Sequence, residues 1–124
     1  MKVPDGYQRV MPYLIVPGAA RFLDFMMKVF DAEEKLKIMR DETLVRHAEI
    51  RIGECVIMFA DATEQFPARP GAFMVYVEDA DRTYNKALDE GATSTMPMSD
   101  QEYGRSGGVA DPFGNTWWPT TPPK

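Results

Sequence analysis

The sequence predicts an α+β domain made of two back-to-back βαβββ halves whose curved, cup-shaped mixed sheet carries its helices on the convex side. Three observations lead there. The order strand, helix, three strands occurs twice, with a period of roughly 60 residues. Each helical segment has a single apolar stripe, so it packs on one face of a sheet and leaves the other face free. Turn residues fall where hairpins need them.

In the first half, Arg9 to Val16 is rich in Val, Leu, Ile and Tyr and stops at Pro17-Gly18, which marks a strand and its end. The period then changes. Phe22, Phe25, Met26, Val29 and Phe30 recur at helical spacing, while Arg21, Asp24 and Lys28 take the opposite side. Leu36 to Arg40 reads as a strand and Asp41-Glu42 as a turn. Val45 to Ile52 and Cys55 to Ala60 flank Gly53-Glu54, the two-residue spacing of a tight hairpin. That spacing sets a register: Ile52 faces Cys55, Ile50 faces Ile57 and Ala48 faces Phe59 on an apolar side. His47, Glu49 and Arg51 then share the other side with Val56, Met58 and Ala60.

Glu64 to Pro70, with Pro67 and Pro70, reads as a linker between modules at about residues 7–62 and 71–121 of one 124-residue domain. The second half opens with a strand at Phe73 to Val77. Asp79 is a helix N-cap, and Tyr84, Ala87 and Leu88 line a helix that ends at Glu90-Gly91. A polar strand with Thr95, Met96 and Met98 comes next, followed by a loop from Ser99 to Gly104 and a hairpin turning at Asp111-Pro112-Phe113-Gly114. Arg21 and Arg82 occupy matching places in the two helices.

Composition narrows the function. The net charge of -5, with both signs interspersed, disfavours a phosphate backbone, so nucleic acid is not an expected partner. No apolar run approaches the ~20 residues of a bilayer span. Met1 to Gly6 lacks the apolar stretch of a secretory signal, so a cytoplasmic location is expected. The one cysteine, Cys55, excludes an internal disulfide and reads as a small buried apolar residue.

Several strings together carry a family resemblance: Pro12-Tyr13-Leu14-Ile15-Val16, Phe25 to Glu33, His47 to Gly53, Val77-Glu78-Asp79 with Gly91-Ala92, Tyr103-Gly104-Arg105, and Asp111 to Trp117. In this order they resemble the PhnB-like branch of the vicinal oxygen chelate superfamily, which includes glyoxalases, bleomycin-resistance proteins and extradiol dioxygenases. The resemblance covers nearly the whole chain. It implies paired βαβββ modules around a cup, usually in a homodimer. Metal-using relatives place ligands at one inward position on the first and last strands of each module. Carried across, those positions are Met11, Met58, Ala72 and Trp118, with a one-residue slip bringing Tyr13 or Phe73 inward instead. None offers an ordinary oxygen or imidazole ligand, and the chain has one histidine, so no family metal and no other cofactor is expected.

Two functions remain open. One is a metal-independent binding protein, bleomycin-resistance-like, holding an aromatic or amphipathic small molecule against Tyr13, Met58, Met74, Tyr76 and Trp118. The other is a glyoxalase- or lyase-type enzyme using His47 and Glu49, which lie two apart on one strand face, for acid-base chemistry or as ligands of an atypical metal. The same pair also fits a purely structural role as hydrogen-bonded partners, and the aromatic and thioether side chains also fit simple core filling. Tyr103 to Gly108 lacks the context of a phosphate loop and reads as a mobile loop beside the cup's mouth. There Arg105 meets a ligand's anionic group or pairs with Glu102. Trp117 is expected in the convex-side core, beside an inward Trp118.

Overall fold

The computed structural model describes all 124 residues, which divide into two compact units, Met1–Arg69 and Pro70–Lys124. The first holds β1 (Tyr13–Val16), α1 (Ala19–Phe30), β2 (Glu33–Met39), β3 (Val45–Ile52) and β4 (Cys55–Asp61) in a sheet ordered β1-β4-β3-β2. The second holds β5 (Ala72–Tyr76), α2 (Ala80–Asp89), β6 (Thr93–Gln101), β7 (Gly104–Ala110) and β8 (Thr116–Thr121), ordered β5-β8-β7-β6. Each unit is thus βαβββ, with one parallel pair, β1 with β4 or β5 with β8, and antiparallel neighbours elsewhere.

The first unit follows from its hairpin. Gly53 has φ 56, and the register runs Ile52 with Cys55, Ile50 with Ile57 and Ala48 with Phe59. Ala48, Ile50 and Phe59, with Leu14 on β1, form the buried face. Helix α1 lays Phe22, Phe25, Met26 and Val29 on this side of the sheet, and the Phe22 ring meets Phe59 edge-on at 5.0 Å. Each such large side chain contributes roughly 1.5–3 kcal/mol by leaving water.

Helix α1 has no capping side chain of its own at Gly18. Asp61, at the far end of β4, supplies one instead. Its carboxylate accepts from the backbone N–H of Gly18 at 3.1 Å, Ala19 at 2.8 Å and Val45 at 2.6 Å, tying helix, strand and sheet at one buried point. Asp111 does comparable work in the second unit. It accepts from the backbone of Phe113 and Asn115, from Asn115 Nδ2 and from Trp117 Nε1, all at 2.8–3.1 Å, and so locks the Asp111 to Gly114 turn to the buried indole beside it. Trp117 in turn stacks on Phe73 at 4.7 Å. Asp79 caps α2 by accepting from Arg82 N–H, as its position predicts.

The elements depart from expectation in four places. Strand β1 begins at Tyr13, not Arg9, because Pro12 has no N–H for the ladder and the Gln8 side-chain amide bonds both the N–H and C=O of Val56 in place of a strand backbone. Strand β2 starts earlier than Leu36, at Glu33, because Asp31 ends α1 in the left-handed region and turns the chain straight into the sheet. Ser99 to Gly104 is not a loop: β6 runs to Gln101, Glu102-Tyr103 turn, and the glycine-rich stretch is strand β7 in the interior of the sheet. Glycine is there for close approach, since a Cβ on Gly104 would collide with the Thr121 carbonyl and one on Gly108 would lie 2.7 Å from Thr95 Oγ1 and 2.9 Å from Trp118 Nε1. Cys55 is exposed, because the first residue after the hairpin turn lies beyond the cover of α1.

Replacing Asp61 or Asp111 by Ala strands several buried donors at once. Each change is expected to cost roughly 2–4 kcal/mol, read as a lower urea midpoint at unchanged slope.

Candidate functional site

Strand alternation splits each sheet into a helix-covered face and an open one. On the open face of the first unit, β1 pairs Tyr13 with Met58, β3 pairs Glu49 with Met58, and β2 pairs Leu36 with Glu49 and Ile38 with His47. Tyr13, and not Met11, is therefore the residue beside Met58; Met11 precedes the strand.

These residues form a continuous hydrogen-bonded chain. Tyr13 Oη lies 2.9 Å from His47 Nδ1, and His47 Nε2 lies 2.7 Å from Glu49 Oε2. The Tyr7 hydroxyl donates to Glu49 Oε1 and accepts from Lys35 Nζ at 2.9 Å. That ammonium sits 3.8 Å from Glu49 Oε1 and 4.1 Å from the centre of the Tyr7 ring. Exposure rises along the chain, from 5% for the Glu49 side chain through 23% for that of His47 to 50% for Tyr13.

The charges follow from these contacts. Burial alone would push the Glu49 carboxyl up; the hydrogen bonds from Tyr7 and His47, with the positive charges of His47 and Lys35, outweigh it and hold the group below the usual glutamate range. Glu49 is thus ionised and accepts only, so the proton between it and His47 belongs to Nε2. Burial, and then the nearby Glu49 charge, raise the Tyr13 phenol, so its hydroxyl stays protonated. Arg51, expected at a solvated rim, is half-buried with its guanidinium near Gly6.

On the open face of the second unit, Met74 pairs with Trp118 and Tyr76 with Thr120. Met74 is 48% and Tyr76 60% exposed, while the Trp118 indole passes over Gly108. Phe73 and Trp117 lie together on the other, helix-covered face. Arg105 belongs to that covered face too: it pairs with Thr121, whose hydroxyl receives the α2 N-terminus. Its guanidinium grips Asp81 through two 3.0 Å bonds and reaches Asp100 at 3.3 Å, not Glu102. The Arg105 hydrogen bond outweighs burial and lowers the Asp81 carboxyl, and the pair leaves this cation committed on the side away from Met74 and Tyr76. The reason is strand parity, hidden while residues 104–108 read as a loop.

The positions carried over from metal-using relatives hold thioethers, a methyl group and an indole. No three His, Cys, Asp or Glu side chains converge as a metal-binding group. His47 and Glu49, on the same face as Met58, already spend both nitrogens and both oxygens on protein partners. These residues do not fit the family's ion.

Sequence reasoning missed Tyr7 and Lys35. Tyr7 is 42 residues from Glu49 and no local pattern signals it. Lys35 lies at the irregularity of β2 between Glu34 and Leu36, and since a regular ladder carried past Leu36 would set it opposite Ile50 on the other face, simple register does not signal it either.

No helix is long and apolar enough to cross a membrane. Residues 6–118 match the model of the Glyoxalase/Bleomycin resistance protein/Dioxygenase superfamily. The chain is 34% identical over 118 residues to the uncharacterized protein Mb0911c of Mycobacterium bovis, covering 86% of this chain and 78% of that one. Among solved structures it is similar to TioX from Micromonospora sp. ML1 (TM-score 0.77, 22% identity, 94% of this chain and 99% of that one). It is also similar to a PhnB protein from Bacillus cereus, described as a putative 3-demethylubiquinone-9 3-methyltransferase (0.71, 21%, 92% and 99%). A third is TnmS3, an antibiotic binding protein from Streptomyces sp. CB03234 (0.74, 14%, 99% and 99%). The doubled βαβββ topology and the match across nearly the whole sequence agree: this chain belongs to the glyoxalase/bleomycin resistance protein/dioxygenase superfamily.

Proposed function

We propose that this protein binds a small organic molecule with an aromatic or amphipathic body, without the metal ion that enzymes of the superfamily use, and that it does so as a cytoplasmic homodimer. One observation carries the reading. Large aromatic and thioether side chains stay substantially exposed on the open sheet faces: Tyr13 at 50%, Met74 at 48% and Tyr76 at 60%. Side chains that merely filled a core would be buried, and exposed apolar groups in register with Met58 and Trp118 mark a surface that awaits a partner. Rings supply stacking area and thioethers supply adaptable contact. The likeness in fold to an antibiotic binding protein supports the same class of ligand.

The donor chemistry supports the metal-free part. A thioether, a methyl and an indole at the carried-over positions offer nothing to a hard or borderline divalent cation.

A second reading rests on its own observation, the Tyr13–His47–Glu49 chain with Tyr7 and Lys35 behind it. A histidine backed by an ionised carboxylate is suited to acid-base catalysis, and an enzyme of glyoxalase or lyase type would use it so.

Titration of the purified protein with flat aromatic compounds, followed by tryptophan fluorescence, is expected to give a saturable change that Trp118→Phe reduces and that Gly108→Ala weakens by pushing the indole off its strand. Elemental analysis after mild purification should find far less than one transition ion per chain; close to one would sink the metal-free reading. If the enzymatic reading holds, His47→Gln removes turnover with the fold intact.

Glu49 also makes a pH prediction. Its folded value lies below the ordinary value of 4.5, so its ionised form adds stability above that pH, and this is lost as pH falls through the folded value. Glu49→Gln should therefore lower the urea midpoint at neutral pH, and the two curves should approach one another in acid.

A further inference from the structure

We infer that Tyr13, His47 and Glu49 form a proton relay whose ligand-facing end is the Tyr13 hydroxyl, with His47 acting through Tyr13 and with Tyr7 and Lys35 as positioning residues for Glu49. The inference deepens the ligand-binding reading above and rests on it for the class of molecule met.

The geometry distinguishes this from a histidine that touches its substrate. Both imidazole nitrogens are engaged within the protein, Nε2 by Glu49 at 2.7 Å and Nδ1 by Tyr13 at 2.9 Å. A ligand on the open face meets the half-exposed phenol first, because exposure falls from Tyr13 to His47 to Glu49. The Tyr13 ring lies tilted beside the imidazole, with 5.5 Å between the ring centres.

The direction of transfer follows from the hydrogen-bond inventory. Glu49 is held as a carboxylate by Tyr7 and Lys35 and accepts only, so Nε2 carries a proton, and in the neutral form of the imidazole the lone pair is the one at Nδ1. Tyr13 O–H donates to that lone pair. When Tyr13 Oη takes a proton from a bound molecule, its own proton passes to Nδ1. The ligand becomes an anion, Tyr13 remains a phenol, and the imidazolium is stabilised across Nε2–H by Glu49. The reverse sequence returns the proton to the same or a neighbouring ligand atom. No electron changes hands and no co-reactant is needed. The ligand class is one whose polar end is a weakly acidic hydroxyl, such as a phenol or enol, or an enolisable carbonyl compound.

Tyr7 and Lys35 act at one remove. Tyr7 donates to Glu49 Oε1 while Lys35 donates to Tyr7, so the oxygen not used by His47 is anchored as well.

His47 is the only histidine, so one imidazole answers for the site in ¹⁵N-histidine-labelled full-length protein. Long-range ¹H–¹⁵N spectra above the imidazole's titration are expected to show the Nε2–H tautomer. Tyr13→Phe should keep that tautomer and move the Nδ1 signal downfield as it loses its donor. Tyr7→Phe should keep it too, while raising the titration midpoint of the Glu49 carboxyl followed at its ¹³Cδ. An Nδ1–H tautomer, or an Nδ1 signal indifferent to Tyr13→Phe, overturns the relay; an unmoved Glu49 midpoint removes Tyr7 from it. The spectra need no ligand, so their failure is distinct from a failure of the fluorescence titration, which would strike the ligand-binding reading instead.

Discussion

A carboxylate on the uncovered face of a sheet, 4% exposed, is the constraint from which the first unit's chemistry follows. Hairpin register puts Glu49 beside Met58, and alternation with Ala48 and Ile50 keeps it off the apolar side beneath α1. An ionised group so placed loses hydration worth several kcal/mol and must recover it from protein partners. It recovers it from His47, Tyr7 and Lys35. Those partners bring a residue from ahead of β1 and another from β2 onto the same spot. The arrangement that satisfies Glu49 also fixes the tautomer of the chain's one histidine, so stability and chemistry share a cause.

The two units have the same strand order and differ in what their open faces carry. In the first, polar groups are linked atom to atom. The second presents Met74, Tyr76 and Trp118, in register with Thr120 and Gly108. A repeated backbone plan thus supports two kinds of surface, because alternation assigns covered and open positions without dictating what stands at the open ones. Each unit also spends a buried aspartate on construction. Asp61 substitutes for a missing cap on α1 and Asp111 organises a turn around Trp117.

Much of this was legible in the sequence where a local rule decides the outcome. The helical spacing of Phe22 to Phe30, the Gly53-Glu54 hairpin, the Asp79 cap and the Asp111 to Gly114 turn each involve residues within a few positions of one another. What was not legible depends on separation or on a sign that means two things. Tyr7 and Gln8 find partners more than 40 residues away. The glycines of Tyr103 to Gly108 look like those of a loop, yet all three sit in an interior strand because neighbouring backbone, the Met98 side chain or the Trp118 indole occupies the space of a Cβ. That single misreading also misplaced Arg105, since a loop has no parity and a strand does. Cys55 shows the converse: an apolar residue type at a hairpin end that nothing covers.

The committed charges bear on what the open faces can recognise. Arg105 is gripped by Asp81 on the helix-covered face, Lys35 is held by Tyr7 and Glu49, and Glu49 is held in turn by His47. A ligand that drew its counter-charge from Arg105, Lys35 or Glu49 would have to break one of these pairs, and leaving Glu49 buried without its partners costs roughly 3–5 kcal/mol. A neutral ligand breaks none. Of the residues expected to line the open faces, Tyr13, Met74 and Tyr76 are the ones most exposed, and all three are uncharged. Phenol hydroxyls and a thioether recognise rings and oxygen atoms better than they recognise ions. Under the proposed function, these three side chains suit an aromatic or amphipathic body with an oxygen at its edge.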